Sequence, residues 1–416
     1  MSGASSQVEA WLPRSLLRLR SGSAIPAATA EGLTPVRLSW ADGRLKEPEL
    51  LSTPVDRLNA LVLPRLVDPH VHLDKAFTWS THPNLGGTYD GALEANMKEH
   101  GIRDLQAVLA RGDQAISRAC DHGLRAMRSH IDSLGPGADA SWEALQALKK
   151  QWHGQVELQL VALVPIAHWS TTEGKQLAQR VAASGGLLGG VLVPPCRGTS
   201  VRRDLRALLT LAEELGCGID LHIDEANHGP AQGLQQLLRA LEQVPCRQPI
   251  TCSHASSLAL LSPQRLRRLA ERMAEHRLQV VALPLTNGWL LGHSPEATPL
   301  RRPLAPIRQL QRAGVRVAVG GDNVADPWFP AGDFDPLALM ASCIPLAQLA
   351  PWQRLGLSPF TTAASAVMGL GWDGRIGCDA PADLIVLEAD SWSEALRRPP
   401  ERRVLIGGRW WKPGRR

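Results

Sequence analysis

The chain has 416 residues, 44% hydrophobic and 20% charged, enough apolar material for a sizeable core and too much for a disordered polymer. Its 37 Gly and 31 Pro follow no period, and no apolar run approaches the ~18 residues of a membrane span, which excludes fibrous and membrane-spanning classes. Lys plus Arg total 45 against 40 Asp plus Glu, a net charge of +5 spread along the chain, and aromatics are 4%, so neither a nucleic-acid surface nor a membrane partner is expected.

The first residues, MSGASSQVEAWLPRSLLRLR, lack a continuous apolar stretch with a small-residue cleavage site, and the seven cysteines form no CxxC pair. Both features point to a reducing, cytoplasmic setting. Residues 1–63 contain short β-like stretches such as VRLSW at 36–40 and show no strand–helix alternation. From about residue 65 to 370 the pattern changes. Short apolar runs at 125–132, 156–165, 189–195, 217–224, 279–285 and 315–322 read as strands. Helical patterns lie between them. Residues 104–122 are closed by Gly123, and Leu205, Leu208, Leu209, Ala212 and Leu215 repeat on one face before Gly216. Residues 262–275 form a third such pattern, whose Arg265, Arg267 and Arg268 read as a solvated helix face. β-like character returns in LIVLEA (384–389) and RVLIGGRWW (403–411). The expected fold is α/β: a (β/α)8 TIM barrel over residues 64–370, with a small β-sandwich domain built from 1–63 and 371–416.

Four polar groups stand where apolar runs stop. The first is Asp68-Pro69-His70-Val71-His72-Leu73-Asp74-Lys75; side chains at i and i+2 share a strand face, so two imidazoles can converge on one ion. The others are His222 with Glu225 three residues later, His254 in ITCSH, and Asp322 in VAVGGDN. His72 to His222 is 150 residues, His222 to His254 is 32 and His254 to Asp322 is 68. With about 30 residues per βα unit, these are strands one, five, six and eight, all ending at the face where such barrels carry their active sites.

These segments, together with ALPLTN at 282–287, GGDNVADPWFP at 320–330 and the ending GRIG through ADLIVL (374–387), resemble the amidohydrolase superfamily in its cytosine deaminase-like branch, over nearly the whole chain. The resemblance implies that His70, His72, His222 and Asp322 hold one divalent metal ion, zinc or iron, with no carboxylated lysine. It implies that Asp322 takes a proton from water, that Glu225 passes one to a ring nitrogen, and that His254 polarises the attacked centre. His130 and Asp132 in RSHID resemble a strand-two segment that supports the pocket. Trp328 and Asn323 are candidate substrate contacts. Lys75 is expected to pair with a carboxylate, Asp74 being the nearest in sequence. Relatives of this kind are often homo-oligomers, which leaves self-association open.

Two departures bear on the substrate. Cytosine deaminases commonly carry a glutamine after strand three, where this chain reads Val164-Pro165-Ile166-Ala167-His168-Trp169, and a second aspartate where it has Asn323. The expected activity is hydrolytic deamination of a small heterocycle, cytosine first. The alternatives are release of a substituted amine from another ring, such as a triazine, or a catalytically silent ligand-binding relative.

Overall fold

The computed structural model describes residues 6–20, 25, 29–52, 58–397 and 401–414. Eight strands form one sheet in chain order: β1 (Leu66–Val71), β2 (Leu124–Asp132), β3 (Glu157–Leu163), β4 (Leu187–Leu192), β5 (Ile219–Ile223), β6 (Ile250–His254), β7 (Gln279–Ala282) and β8 (Arg316–Val319). The registers from β2 to β8 are parallel. The sheet curls until its ends meet: Val71 bridges Asp322 in parallel, and the Asp322 N–H donates to the His70 carbonyl oxygen at 2.8 Å. This is the (β/α)8 barrel.

The pattern of burial explains why these segments are strands and those between them helices. Every residue of β5, β6 and β7 is buried, as expected of strands covered by helices on one face and filled by side chains on the other. Helix Thr199–Leu215 buries Leu205, Leu208, Leu209 and Ala212, and ends at Gly216, whose φ of 67° closes it in the left-handed conformation. Helix Pro263–Glu275 buries Leu266, Leu269, Ala270 and Met273 while its arginines at 265, 267 and 268 are exposed. The run 279–285 stops being a strand at Ala282, because Pro284 has no N–H for the ladder and instead opens helix Pro284–Leu290. That early stop brings the helix to the strand end where the polar groups gather.

The chain divides into two compact units. One comprises Asp68–Ile116 and Ala126–Asp333 and carries every side chain of the candidate site. The other comprises Met1–Val67, Ser117–Arg125 and Phe334–Arg416. Its mixed sheet joins both ends of the chain. Gln7–Pro13 pairs antiparallel with Leu33–Ala41, and Leu61–Pro64 pairs antiparallel with Leu384–Leu387, around a core that includes Leu12, Val36, Leu38, Val62, Leu384 and Leu405. No helix among the described residues is long and apolar enough to cross a membrane.

Candidate active site

His70 ends one residue before β1 does and His72 lies one residue beyond it; His222 is in β5, His254 closes β6, and Asp322 lies three residues past β8. All five are buried. Asp322 Oδ1 is 3.3 Å from His72 Nε2 and 3.5 Å from His70 Nε2, and the Nε2 atoms of His72 and His222 are 3.4 Å apart. His254 and Asp322 have φ of 70° and 65°, a left-handed conformation that turns each side chain inward at the end of its strand and that non-glycine residues rarely adopt.

The hydrogen bonds behind the histidines determine which nitrogens carry protons. Ser253 Oγ donates to Asp220 Oδ1 at 2.7 Å, so at 2.9 Å it accepts from His70 Nδ1–H. His72 Nδ1 faces the His130 carbonyl oxygen at 3.2 Å and must donate to it. Both rings therefore present bare Nε2 lone pairs inward. His70 Nε2 and both oxygens of Asp322 are buried without a hydrogen-bond partner. Lone pairs facing one another with no proton between them are unfavourable unless a cation binds there. Donor atoms ~2.1 Å from an ion and ~90–110° apart around it lie about 3.0–3.4 Å from one another, the scale of the separations observed, so these residues fit a divalent ion that keeps a further position for water.

A second grouping, His70, His130 and Asp220, does not have this character. His130 stacks on His70 at 3.8 Å between centroids, and Arg128 neutralises Asp220 through a 2.8 Å contact. Its negative charge is already balanced.

Glu225 and His254 adjoin the donor set. His254 Nδ1 lies 3.3 Å from Glu225 Oε1 and 3.0 Å from Asn287 Nδ2, which donates to it. The His254 proton is then on Nε2, which is buried and unpartnered. Burial, reinforced by the negative charge of Asp322, raises the Glu225 pKa well above the ordinary carboxylate value. Asp322 moves the other way: burial would raise it, but the His72 and His254 imidazoles beside it hold it down.

Burial, with mutual repulsion between the rings, holds His70, His130 and His222 well below their ordinary pKa of 6.5. In chelated protein these histidines stay neutral while the unfolded chain protonates near 6.5, so unfolding takes up protons below that pH. By themselves these rings make the fold at least about 1 kcal/mol less stable at pH 5.5 than at 7.5, while the buried carboxyls of Asp68 and Glu225, whose pKa values are raised, act in the opposite sense over the same range. The check is therefore ring by ring: imidazole NMR of chelated protein is expected to show His70, His130 and His222 still neutral at pH 5.5, and a protonated ring there would overturn this.

Lys75 does not pair with Asp74. Its Nζ is 2.8 Å from Asp132 Oδ1, while Asp74 turns to Arg103 at 2.8 Å and accepts from the Asp132 backbone N–H at 3.0 Å. Both residues lie in the turn that follows β1, and the two side chains leave it toward different partners. Asn323 donates to Asp326 at 2.8 Å, and Trp328 meets Tyr89 edge-on at 5.1 Å. Both Asn323 and Trp328 line a cavity of about 560 Å³ whose floor includes His72, His222, Glu225, His254 and Asp322. One face of helix Tyr89–Ile102 supplies Leu93, Asn96 and Met97 to the same cavity. Asn287 and Asn96 have no counterpart in the sequence reading: lone amides on helices carry no spacing signal, although Asn287 closes the ALPLTN stretch.

The amidohydrolase family model matches residues 114–410. The chain belongs to the amidohydrolase family. This amidohydrolase is 30% identical to the pterin deaminase of Rhizobium rhizogenes over 407 residues, 93% of this chain and 91% of that protein. It is 24% identical to the N-isopropylammelide isopropyl amidohydrolase of Pseudomonas sp. over 360 residues, 85% of this chain and 86% of that one. Among solved structures, 5-methylcytosine deaminase from Klebsiella pneumoniae matches with a TM-score of 0.80 at 22% identity, covering 98% of each chain.

Proposed function

We propose that this amidohydrolase is a metal-dependent hydrolytic deaminase that converts an exocyclic C–NH2 of an aminated heterocycle to C=O and releases ammonia. The observation that carries this reading is the set of proton-free lone pairs of His70, His72 and Asp322, beside a buried acid and imidazole on the floor of one cavity. His70, His72, His222 and Asp322 would hold the ion, zinc or iron, since imidazole and carboxylate suit both. When bound, it would supply Lewis acidity that brings the pKa of water from 15.7 toward ~7.

The protein's own groups move the protons. Asp322, an unpartnered carboxylate kept acidic, accepts the proton that water gives up. Glu225, kept protonated by burial, delivers a proton to the ring nitrogen of the amidine and so makes the adjacent carbon electrophilic. His254 Nε2–H donates to the oxygen added at that carbon, and Asn287 fixes its tautomer. Asp322 then passes its proton to the amino nitrogen, which leaves as ammonia, while the added oxygen returns its remaining proton to Glu225 as the C=O forms.

We take a fused bicyclic aminated ring of the pterin type as the first substrate. The 30% relative bears that activity, and the 560 Å³ cavity has room well beyond a single pyrimidine. Cytosine, the smaller candidate, belongs in the same panel. The amidohydrolase relative that acts on N-isopropylammelide supports a second reading, release of an alkylamine. The test is product analysis with pterin, cytosine and N-isopropylammelide, using protein loaded with zinc or with iron. Chelator-sensitive ammonia from pterin is the expected result; isopropylamine alone would favour the second reading, and no product from metal-loaded protein would overturn the deaminase assignment.

A further inference from the structure

The cavity contains one more charged group whose surroundings are built around it. Asp132 closes β2 and lines the cavity, with its side chain 16% exposed. Lys75 Nζ donates to one carboxylate oxygen at 2.8 Å. Asn96 Nδ2 donates to the other at 3.2 Å, and Arg103 approaches that oxygen at 3.4 Å. The Asn96 bond leaves its own Oδ1 buried without a partner. Arg103 is in turn fixed by Asp74 at 2.8 Å, by Glu99 at 2.9 Å and by Ser141 at 3.1 Å. A buried unsatisfied amide oxygen is costly, and here it accompanies the placement of one carboxylate.

With two cations beside it this group stays ionised and can only accept hydrogen bonds. It faces a cavity that also contains Leu93, Met97, Leu134 and Val193. The stretch after β3, Val164 to Trp169, has no carboxamide to read a ring edge. We propose that Asp132 reads the substrate by accepting a ring N–H at the lactam edge of the heterocycle, with Lys75, Asn96 and Arg103 as positioning residues. This rests on the deaminase reading of the same site. It predicts a substrate that carries a donor N–H beside a ring carbonyl. A carboxylate rejects a ring that offers only lone pairs there, since desolvated charge would face lone pair.

The test compares metal-loaded protein acting on pterin and on its counterpart methylated at the ring nitrogen beside the carbonyl. Wild type is expected to favour the N–H substrate by at least about 30-fold in kcat/KM. A Lys75→Met/Asp132→Leu pair, which removes both charges and so avoids a lone buried ammonium, is expected to bring the ratio below about 3-fold, mainly through KM for the N–H substrate. The ratio is read within one preparation, so it does not depend on the folded fraction. A merely structural role would lower both substrates alike and leave the ratio at the wild-type value, which overturns the proposal, as does a wild type that fails to discriminate. If wild type turns over neither compound, the deaminase reading fails; the same ratio, measured as Kd from pterin fluorescence, then decides the Asp132 assignment in either direction.

Discussion

Asp322→Ala is expected to lower kcat/KM by at least about 1,000-fold and to release the metal ion, because it removes the one carboxylate among three imidazoles. Lewis-acid stabilisation is worth several kcal/mol, and about 4 kcal/mol is a factor of ~1,000. The effect reaches beyond charge. Asp322 Oδ1 lies between the inward Nε2 atoms of His70 and His72, at 3.5 and 3.3 Å, and its backbone N–H closes the barrel against the His70 carbonyl oxygen. Alanine keeps that backbone bond, so the fold should survive while the donor set does not. Metal content by elemental analysis, taken with kcat/KM and the thermal midpoint, separates the two. Full metal occupancy with normal turnover would remove Asp322 from the site.

Glu225→Gln should do the opposite to the metal and a comparable thing to the rate. The amide preserves shape and hydrogen bonding but has no proton to give, so kcat is expected to fall by at least about 100-fold, the lower end of general acid–base catalysis. Metal occupancy should stay at the wild-type level, since Glu225 Oε1 faces His254 and Asn287 and not the converging lone pairs. Near-normal kcat would assign the ring proton to another group. The pair of variants thus divides the site into an ion-holding part and a proton-carrying part, which kinetics on the wild type alone cannot do.

The residues that sequence could point to are those whose position is dictated by backbone period. His70 and His72 announce themselves by i, i+2 spacing at the end of an apolar run, and His222, His254 and Asp322 by their spacing in multiples of a βα unit. The alternation of strands and helices, and the β character of both chain ends, were legible for the same reason. What escaped were partners chosen by direction in space. Lys75 faces Asp132, 57 residues away, although Asp74 is its neighbour in the chain. His130 lies in the quoted RSHID segment, yet its stacking on His70 depends on two adjacent strands sharing a register that one sequence does not display. Asn287 and Asn96 sit on short or weakly patterned helices, where a single amide looks like any solvent-facing residue until the cavity is formed.

Barrel closure also has a consequence in time. His70 and His72 precede Asp322 by 252 and 250 residues, and the carboxylate reaches them only when the last strand docks on the first. At ~5–20 residues per second, a ribosome needs roughly ten seconds to a minute to make that intervening stretch. During it, the nascent chain carries the imidazoles of the proposed donor set without its carboxylate. The four donors come together only in a chain whose last strand has docked, so capture of an ion by them would be coupled to barrel closure and would not precede it.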